Sequence, residues 1–219
     1  MNTDMLPQPP PSSVADIEPG RIKVFGIIHI IFGALGLLGA LSTVVMLLLV
    51  NPVLLWFEDL IKQEVPPEGA ADPAVVALID YIGSMRTLMS DLSVLYWVSG
   101  VTGLVVAVLI LRAGMRLVRK RRDAVACSNG YTYASIAKWV LYLGLYLVTA
   151  PAAMRRYYEA MEDMMAAGGA APPGMMQLQE AIGTVSSVLT AVLAMVYPVL
   201  AYVMLNKPMV KEFLARNGT

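Results

Sequence analysis

Two ionisable side chains interrupt the apolar stretches of this sequence, and both could support chemistry away from water. His29 is the only histidine of the 219-residue chain and follows "VFGII" in the first apolar stretch. An ionisable group inside a membrane span is a functional candidate, but a neutral imidazole hydrogen-bonded to Ser, Thr or Tyr is the simpler interpretation. Lys138 interrupts the third apolar stretch, where its long side chain is expected to reach the inner polar interface.

Methionine is the other residue type that could bind a ligand. The chain holds 15 methionines, six of them between Met154 and Met176. Thioether sulfurs suit Cu(I), and Met161, Met164 and Met165 could converge on one ion. Methionine is also a good helix former and an adaptable packing residue. We therefore predict that this group packs against another helix and binds no metal, with a copper site as the alternative.

No other pattern points to catalysis. The apolar stretches contain no paired acid and base and no activated nucleophile, so the sequence predicts no catalytic, cofactor-binding or metal-binding residues and no enzyme. Cys127 is the only cysteine, which excludes a disulfide framework. Pro198 predicts a kink in the fourth stretch, but the corresponding position of the second stretch is Val98. The matched helix interruptions of a repeat-built transporter are therefore missing.

The composition indicates the elements that carry these residues. The chain is 58% hydrophobic and only 15% charged, which is typical of an integral membrane protein. Four stretches, at about 24–50, 94–111, 135–151 and 184–205, are long enough to cross a bilayer as helices. We predict an all-α integral membrane protein with a four-transmembrane-helix bundle. A cleaved signal peptide ending near Ala40-Leu41-Ser42 is the alternative interpretation of the first stretch.

The distribution of charge predicts the orientation. Eleven of the 16 acidic residues fall in the segments 52–93 and 152–183, whereas only four of the 16 basic residues do. Those four are Lys62, Arg86, Arg155 and Arg156. Basic residues that flank short loops stay in the cytoplasm. Both termini and the basic connection 112–134 are therefore predicted to be cytoplasmic, and the two acidic segments to be outside.

The outer segments have the pattern of packed helices. In the first, apolar residues recur at spacings of four and three from Leu78 through Ile82, Met85, Met89, Leu92 and Tyr96. This pattern predicts one helix from about 74 to 122, which projects beyond the membrane as a helical extension. We expect Ile82 and Met85 to pack against the second half of the chain, around Ile182 and Val185, or against another copy.

The second half of the sequence resembles the first, a hundred residues later. "LIDYIGSM" from Leu78 aligns with "LQEAIGTV" from Leu178, and a turn rich in Pro, Gly and Ala precedes each. The same spacing recurs in the second half at Leu178, Ile182, Val185, Leu189, Val192, Val196, Val199 and Val203. We predict a duplicated helical hairpin. Small residues at spacings of four or seven predict close packing between helices.

Three shorter segments complete the organisation. Residues 1–22 are proline-rich and polar, which predicts a disordered cytoplasmic tail. Within the basic connection, Asn129-Gly130 predicts the bend. Residues 207–219 predict a short amphipathic cytoplasmic helix that begins at Pro208 and has Val210, Phe213 and Leu214 on its apolar side.

These features predict a function only in outline. The chain is expected to be a non-catalytic structural or accessory component that binds a protein partner, or itself, through its helices. Membrane lipids surround it, and no nucleic acid is expected. The alternative is a small transporter or channel, including one for copper. The Gly-rich first span and the basic connection resemble those of many small bacterial membrane proteins, which implies the cell inner membrane.

Overall fold

The computed structural model describes residues 19–64, 73–167 and 175–218, and every regular element among them is helical. The helices are α1 (Gly20–Glu64), α2 (Pro73–Asp91), α3 (Ser93–Val118), α4 (Ala124–Ala167), α5 (Met175–Leu205) and α6 (Pro208–Asn217). Four of them, α1, α3, α4 and α5, are long and apolar enough to cross a membrane. The tail at 1–18 and the two Pro/Gly/Ala-rich turns, at 65–72 and 168–174, lie outside the described residues.

Two helices are much longer than a bilayer is thick. α1 has 45 residues and α4 has 44, so each is about 65 Å long at 1.5 Å per residue. The hydrocarbon layer is only about 30 Å thick. Each helix contains a proline, Pro52 or Pro151, and continues beyond it. A proline removes one backbone hydrogen bond, and here the helix tolerates that loss.

The helix predicted from 74 to 122 is present as far as Val118, with one irregularity. α2 ends at Asp91 and α3 begins at Ser93, so Leu92 alone separates them. The Leu92 amide donates to the Leu88 carbonyl at 3.0 Å, and the Tyr96 amide donates to the Leu92 carbonyl at 3.0 Å. These bonds keep the α-helical spacing across the junction. The extension is therefore continuous with α3.

The predicted bend at Asn129-Gly130 is wrong, because both residues lie inside α4. The side-chain amide of Asn129 exchanges hydrogen bonds with that of Asn206 at 3.2 and 2.7 Å. A tertiary partner thus replaces the local bond through which asparagine favours turns. The dipeptide therefore keeps helical geometry.

The chain instead reverses between Val118 and Ala124. Lys120 has a φ of 51°, the left-handed conformation found just after many helices. The Lys120 amide donates to the Leu117 carbonyl at 3.0 Å, and the Arg121 amide donates to the Arg116 carbonyl at 2.9 Å. This pair of bonds is the Schellman motif, which satisfies the last carbonyls of a helix.

The helices make four main contacts: α1 packs on α3, α4 packs on both α2 and α3, and α5 packs mainly on α4. Glycines allow the closest approach. A Cβ atom at Gly26 would lie 2.9 Å from Val118, and one at Gly33 would lie 2.9 Å from Leu111. α1 and α3 therefore contact each other nearly backbone to backbone.

One end of the molecule, which we call the basic end, is held by a buried cluster. It joins the start of α1, the end of α3, the start of α4, the end of α5 and α6, through Ile22, Phe25, Leu117, Ala124, Val125, Ala201, Leu205, Val210, Phe213 and Leu214. The predicted amphipathic helix is confirmed, since Val210, Phe213 and Leu214 are all buried. The Arg122 guanidinium donates to the Gly218 carbonyl at 3.0 Å and fixes the end of α6.

The opposite end, the acidic end, is organised around α2. Leu88, Leu92 and Leu95 pack on Tyr146, Ala150 and Ala153 of α4 in a second buried cluster. Ion pairs add to this contact: Arg86 lies 3.1 Å from Glu58 of α1, and Arg156 of α4 lies 3.2 Å from Asp91. α2 is thus fixed between α1 and α4.

Candidate functional site

His29 is fully buried, and each nitrogen of its ring lies within hydrogen-bond distance of a hydroxyl group. Its Nε2 lies 3.1 Å from Ser128 Oγ on α4, and its Nδ1 lies 2.6 Å from the Tyr197 hydroxyl on α5. A neutral imidazole has one donor and one acceptor nitrogen, and this arrangement satisfies both. The rings of Phe25 and Tyr131 complete its surroundings. The predicted hydrogen-bonded imidazole is present, and it links three helices near the basic end.

The hydroxyl partners continue along one face of α4. Thr132 is buried, and its hydroxyl lies 3.1 Å from the Ser128 carbonyl and 3.2 Å from the Pro198 carbonyl of α5. Ser135 is buried one turn further along. Polar residues at positions 128, 132 and 135 therefore face the interior of the protein. The spacings of four and three between these residues could have revealed a polar helix face from the sequence. The predicted connection up to residue 134 hid this pattern, because it assigned the first two residues to a loop and the third to a span.

Lys138 lies on the next turn of this face and does not reach the basic end. Its ammonium nitrogen lies 3.6 Å from the position that a Cβ atom at Gly103 would occupy. Gly103 is at the middle of the second predicted span. The ammonium also lies 4.6 Å from the centre of the Trp139 ring. The expected extension of Lys138 to the inner interface is therefore wrong, because the absence of a side chain at Gly103 leaves room for the ammonium in the interior.

A cavity of about 610 Å³ surrounds this ammonium. α1, α3, α4 and α5 all contribute to its walls. The polar part comes from Thr43, Ser99, Tyr131, Ser135, Lys138 and Tyr197. Glycines and other small residues of α1 and α3 supply much of the rest. The volume lies within the range of ligand-binding pockets.

The packing of α4 also bears on the third predicted span. Ser128 is level with His29, and Lys138 is level with Gly103. Towards the acidic end, Tyr146 and Ala150 pack beside Leu92 and Leu95, where the second predicted span begins. This register favours a third span that begins several residues before the predicted 135, with Lys138 near its centre.

The methionines and the acidic end show no comparable site. Met161, Met164 and Met165 are half-buried on α4. The described residues contain no group of three His, Cys, Asp or Glu side chains able to hold a metal ion. That Met161, Met164 and Met165 pack and bind no metal stays a prediction, with a copper site as its alternative.

Two hydrogen bonds at the acidic end shift the pKa of a side chain, one at Tyr157 and one at Glu58. The Tyr81 and Tyr157 hydroxyls lie 2.7 Å apart. Burial, followed by the hydrogen bond to Tyr81, raises the pKa of Tyr157 well above its ordinary value. Lys62 lies 2.5 Å from Glu58, and this hydrogen bond lowers the pKa of Glu58. The tyrosine pair joins α2 to α4, whereas the pair of Lys62 and Glu58 lies within α1.

The heptad-spaced residues of α5 form a second candidate surface, which we call the α5 seam. Its members are Leu178, Ile182, Val185, Leu189, Val192, Val196, Val199 and Val203, and all are 46–66% exposed. The opposite face of α5 is the packed one, with Ala191, Pro198, Ala201 and Leu205 fully buried. The expected contact of Ile82 with Ile182 and Val185 is wrong. Ile82 is buried, and α2 does pack on the second half of the chain, but its partner there is α4 and not α5. The Tyr81 and Tyr157 hydroxyls, 2.7 Å apart, join α2 to α4.

No protein-family model matches this chain, and neither the curated proteins nor the solved structures include a significant match.

Proposed function

We propose that the chain is a non-catalytic multi-pass membrane protein, a structural or accessory component that associates with a second copy of itself through the α5 seam. Four apolar helices place it in a membrane. The basic and acidic ends support an orientation with both termini in the cytoplasm, and a bacterial inner membrane as its location. In this proposal the spanning helices form a four-helix bundle.

The exposure of the α5 seam is the observation that carries this proposal. Lipid requires an apolar surface but no regular spacing, whereas alternating spacings of three and four match the contact line of paired helices. Leu178 also lies before the apolar span of α5, which begins at Ala181, so acyl chains would not cover it. Valine at five of the eight positions gives a flat surface that a second α5 can meet closely.

A duplication of the helical hairpin fits the same proposal. α1 and α4 are nearly equal in length, and each contains a proline followed by further helix. α3 packs along α1 in the first half, and α5 packs along α4 in the second. Among the described helices, only α3 is preceded by a long helical extension, α2. In this proposal the two halves therefore differ in the length of their outer segments.

Disulfide cross-linking in membranes tests the association. In a Cys127→Ser background, we expect cysteines placed at Leu189 and Val196 to form a disulfide-linked dimer on mild oxidation. Thr190 is exposed on a different side of α5, so Thr190→Cys is the matched control and should remain monomeric. Equal cross-linking at all three positions would show random collision, and absence of the dimer at both seam positions would show a lipid-facing surface. Either result would contradict the proposal.

A transporter or ligand-binding protein is the second candidate function. The cavity around Lys138 favours it, because a cationic side chain deep in a membrane protein commonly marks a substrate or ion site. The residues of the α5 seam and those around Lys138 are different, so the two functions can be tested separately.

A further inference from the structure

The cavity around Lys138 exists because glycines stand where larger residues would fill it. A Cβ atom at Gly39 would have no neighbour within 4 Å, and one at Gly100 would meet only Thr43, at 3.6 Å. By contrast, a Cβ atom at Gly26, Gly33 or Gly114 would lie about 3 Å or less from atoms of the facing helix. The α1–α3 contact is therefore tight towards the basic end and opens beside Lys138.

Among the described residues that flank this cavity, no carboxylate pairs with the ammonium. The segments of α1, α3, α4 and α5 that flank the cavity contain no Asp or Glu between Arg21 and Phe57, between Ser93 and Val118, between Ala124 and Tyr158, or between Ala181 and Leu205. Trp139 provides one aromatic face for the cation. Lys138 is only partly buried, but a cation that is partly withdrawn from water is still stabilised by an ionic partner. An anion bound in the cavity would supply that partner.

The surroundings restrict the chemistry of such an anion. Phe32, Val106, Ile110 and Leu193 line the cavity beside the polar groups, so a ligand needs an apolar body as well as an anionic head. A phospholipid holds its phosphate at the membrane interface, whereas Lys138 is level with the middle of the second predicted span. A single-chain carboxylic acid can bring its head group to this depth, because it can cross apolar surroundings in its uncharged form.

We infer that the cavity is a binding site for a single-chain carboxylate amphiphile, such as a long-chain fatty acid, whose carboxylate pairs with Lys138 and whose chain lies along the apolar wall. The hydroxyls of Ser135 and Tyr131 are within the same cavity and are suited to donate to the second carboxylate oxygen. The site is independent of the α5 seam.

Oleate binding to the full-length protein, reconstituted in phosphatidylcholine nanodiscs, tests this inference. We expect saturable binding at one oleate per chain. Lys138→Met keeps the length of the side chain but removes the charge, and it should weaken oleate binding by about tenfold or more, the scale of a charge-assisted hydrogen bond. Lys138→Arg keeps the cation and should retain most of the affinity. Oleyl alcohol, which has the same chain without the carboxylate, should bind weakly to all three proteins.

A second variant tests the cavity without altering the charge. Gly39→Met places a side chain into open space, so it should preserve the thermal unfolding temperature and still abolish oleate binding. The inference fails if Lys138→Met binds oleate as tightly as the parent, or if Gly39→Met binds normally while folded. Displacement of oleate by equimolar phosphatidylglycerol would also overturn it, since that result would identify a lipid phosphate as the preferred anion.

Discussion

The glycines of α1 and α3 differ in what surrounds them, although their spacing in the sequence is similar. A Cβ atom at Gly114 would lie 2.8 Å from the Cβ of His29 and 2.9 Å from the Gly26 carbonyl oxygen. Gly39 and Gly103, by contrast, border the cavity. The spacing of small residues predicted close packing, and this is confirmed at Gly26 and Gly33. Gly114, which that prediction did not include, makes an equally close contact. The spacing could not show which glycines leave space unfilled.

Gly114→Ala should therefore destabilise the protein, because the added methyl group would lie too close to His29 and Gly26 and would push α1 away from α3. We expect a loss of about 1–3 kcal/mol in the free energy of unfolding, the usual range for overpacking a close contact. Gly144→Ala is the matched control, since a Cβ atom there has no neighbour within 4 Å. The control should be neutral or slightly stabilising, because alanine favours a helix. Equal unfolding curves for the two variants in detergent would contradict the close α1–α3 contact.

The two ionisable residues show the limit of sequence reasoning at this scale. Residue types alone predicted that His29 would bond to hydroxyl groups, and it does. They did not identify Ser128 and Tyr197, which are 99 and 168 positions away. For Lys138 the prediction failed, because the direction of a long side chain depends on which helix faces it and on whether that helix leaves room.

At the scale of elements, the heptad spacing of α2 is explained by packing within the chain. Ile82, Leu88 and Leu92 are buried, and Met85 and Met89 are half-buried. If α2 were a passive spacer, these residues would face water.

Ile82→Lys should destabilise the protein by about 2–4 kcal/mol, because it removes a buried side chain and buries an unpaired charge. Ser90→Lys lies on the exposed side of the same helix and should change the free energy of unfolding little. Arg86 is unsuitable as a control, since it pairs with Glu58. Chemical or thermal unfolding in detergent would measure both variants. Small and equal effects would show that α2 is not held against α4.

The spacing of apolar residues identified the contacting face of α2 but not its partner. The same spacing in α5 marks a face that no other part of the described chain covers. Periodicity thus identifies a surface, whereas the partner depends on which helices the turns bring together. The bend at Asn129-Gly130 was predicted wrongly for a similar reason, because Asn206 provides a tertiary partner that no local pattern reveals.

The whole molecule has one basic and one acidic end, and this separation was visible in the sequence. Arg116 and Asp123 pair beside the turn between α3 and α4 at the basic end. Arg155 and Arg156 depart from the pattern, and the ion pair between Arg156 and Asp91 explains one of them. The sequence also predicted the four apolar helices and the docking helix α6. It did not predict that α4 would begin as early as Ala124.

Labelling of single cysteines in intact cells tests the oriented four-span arrangement most directly, and both the α5 association and the Lys138 cavity depend on that arrangement. In a Cys127→Ser background, cysteines at Thr87 and Glu162 of the acidic end should react with a membrane-impermeant maleimide. A cysteine at Asn217 of the basic end should react only after the cells are permeabilised. All three positions are exposed on the protein surface, so a lack of reaction reports the membrane barrier. Labelling of Asn217 in intact cells, with Thr87 and Glu162 protected, would contradict the account.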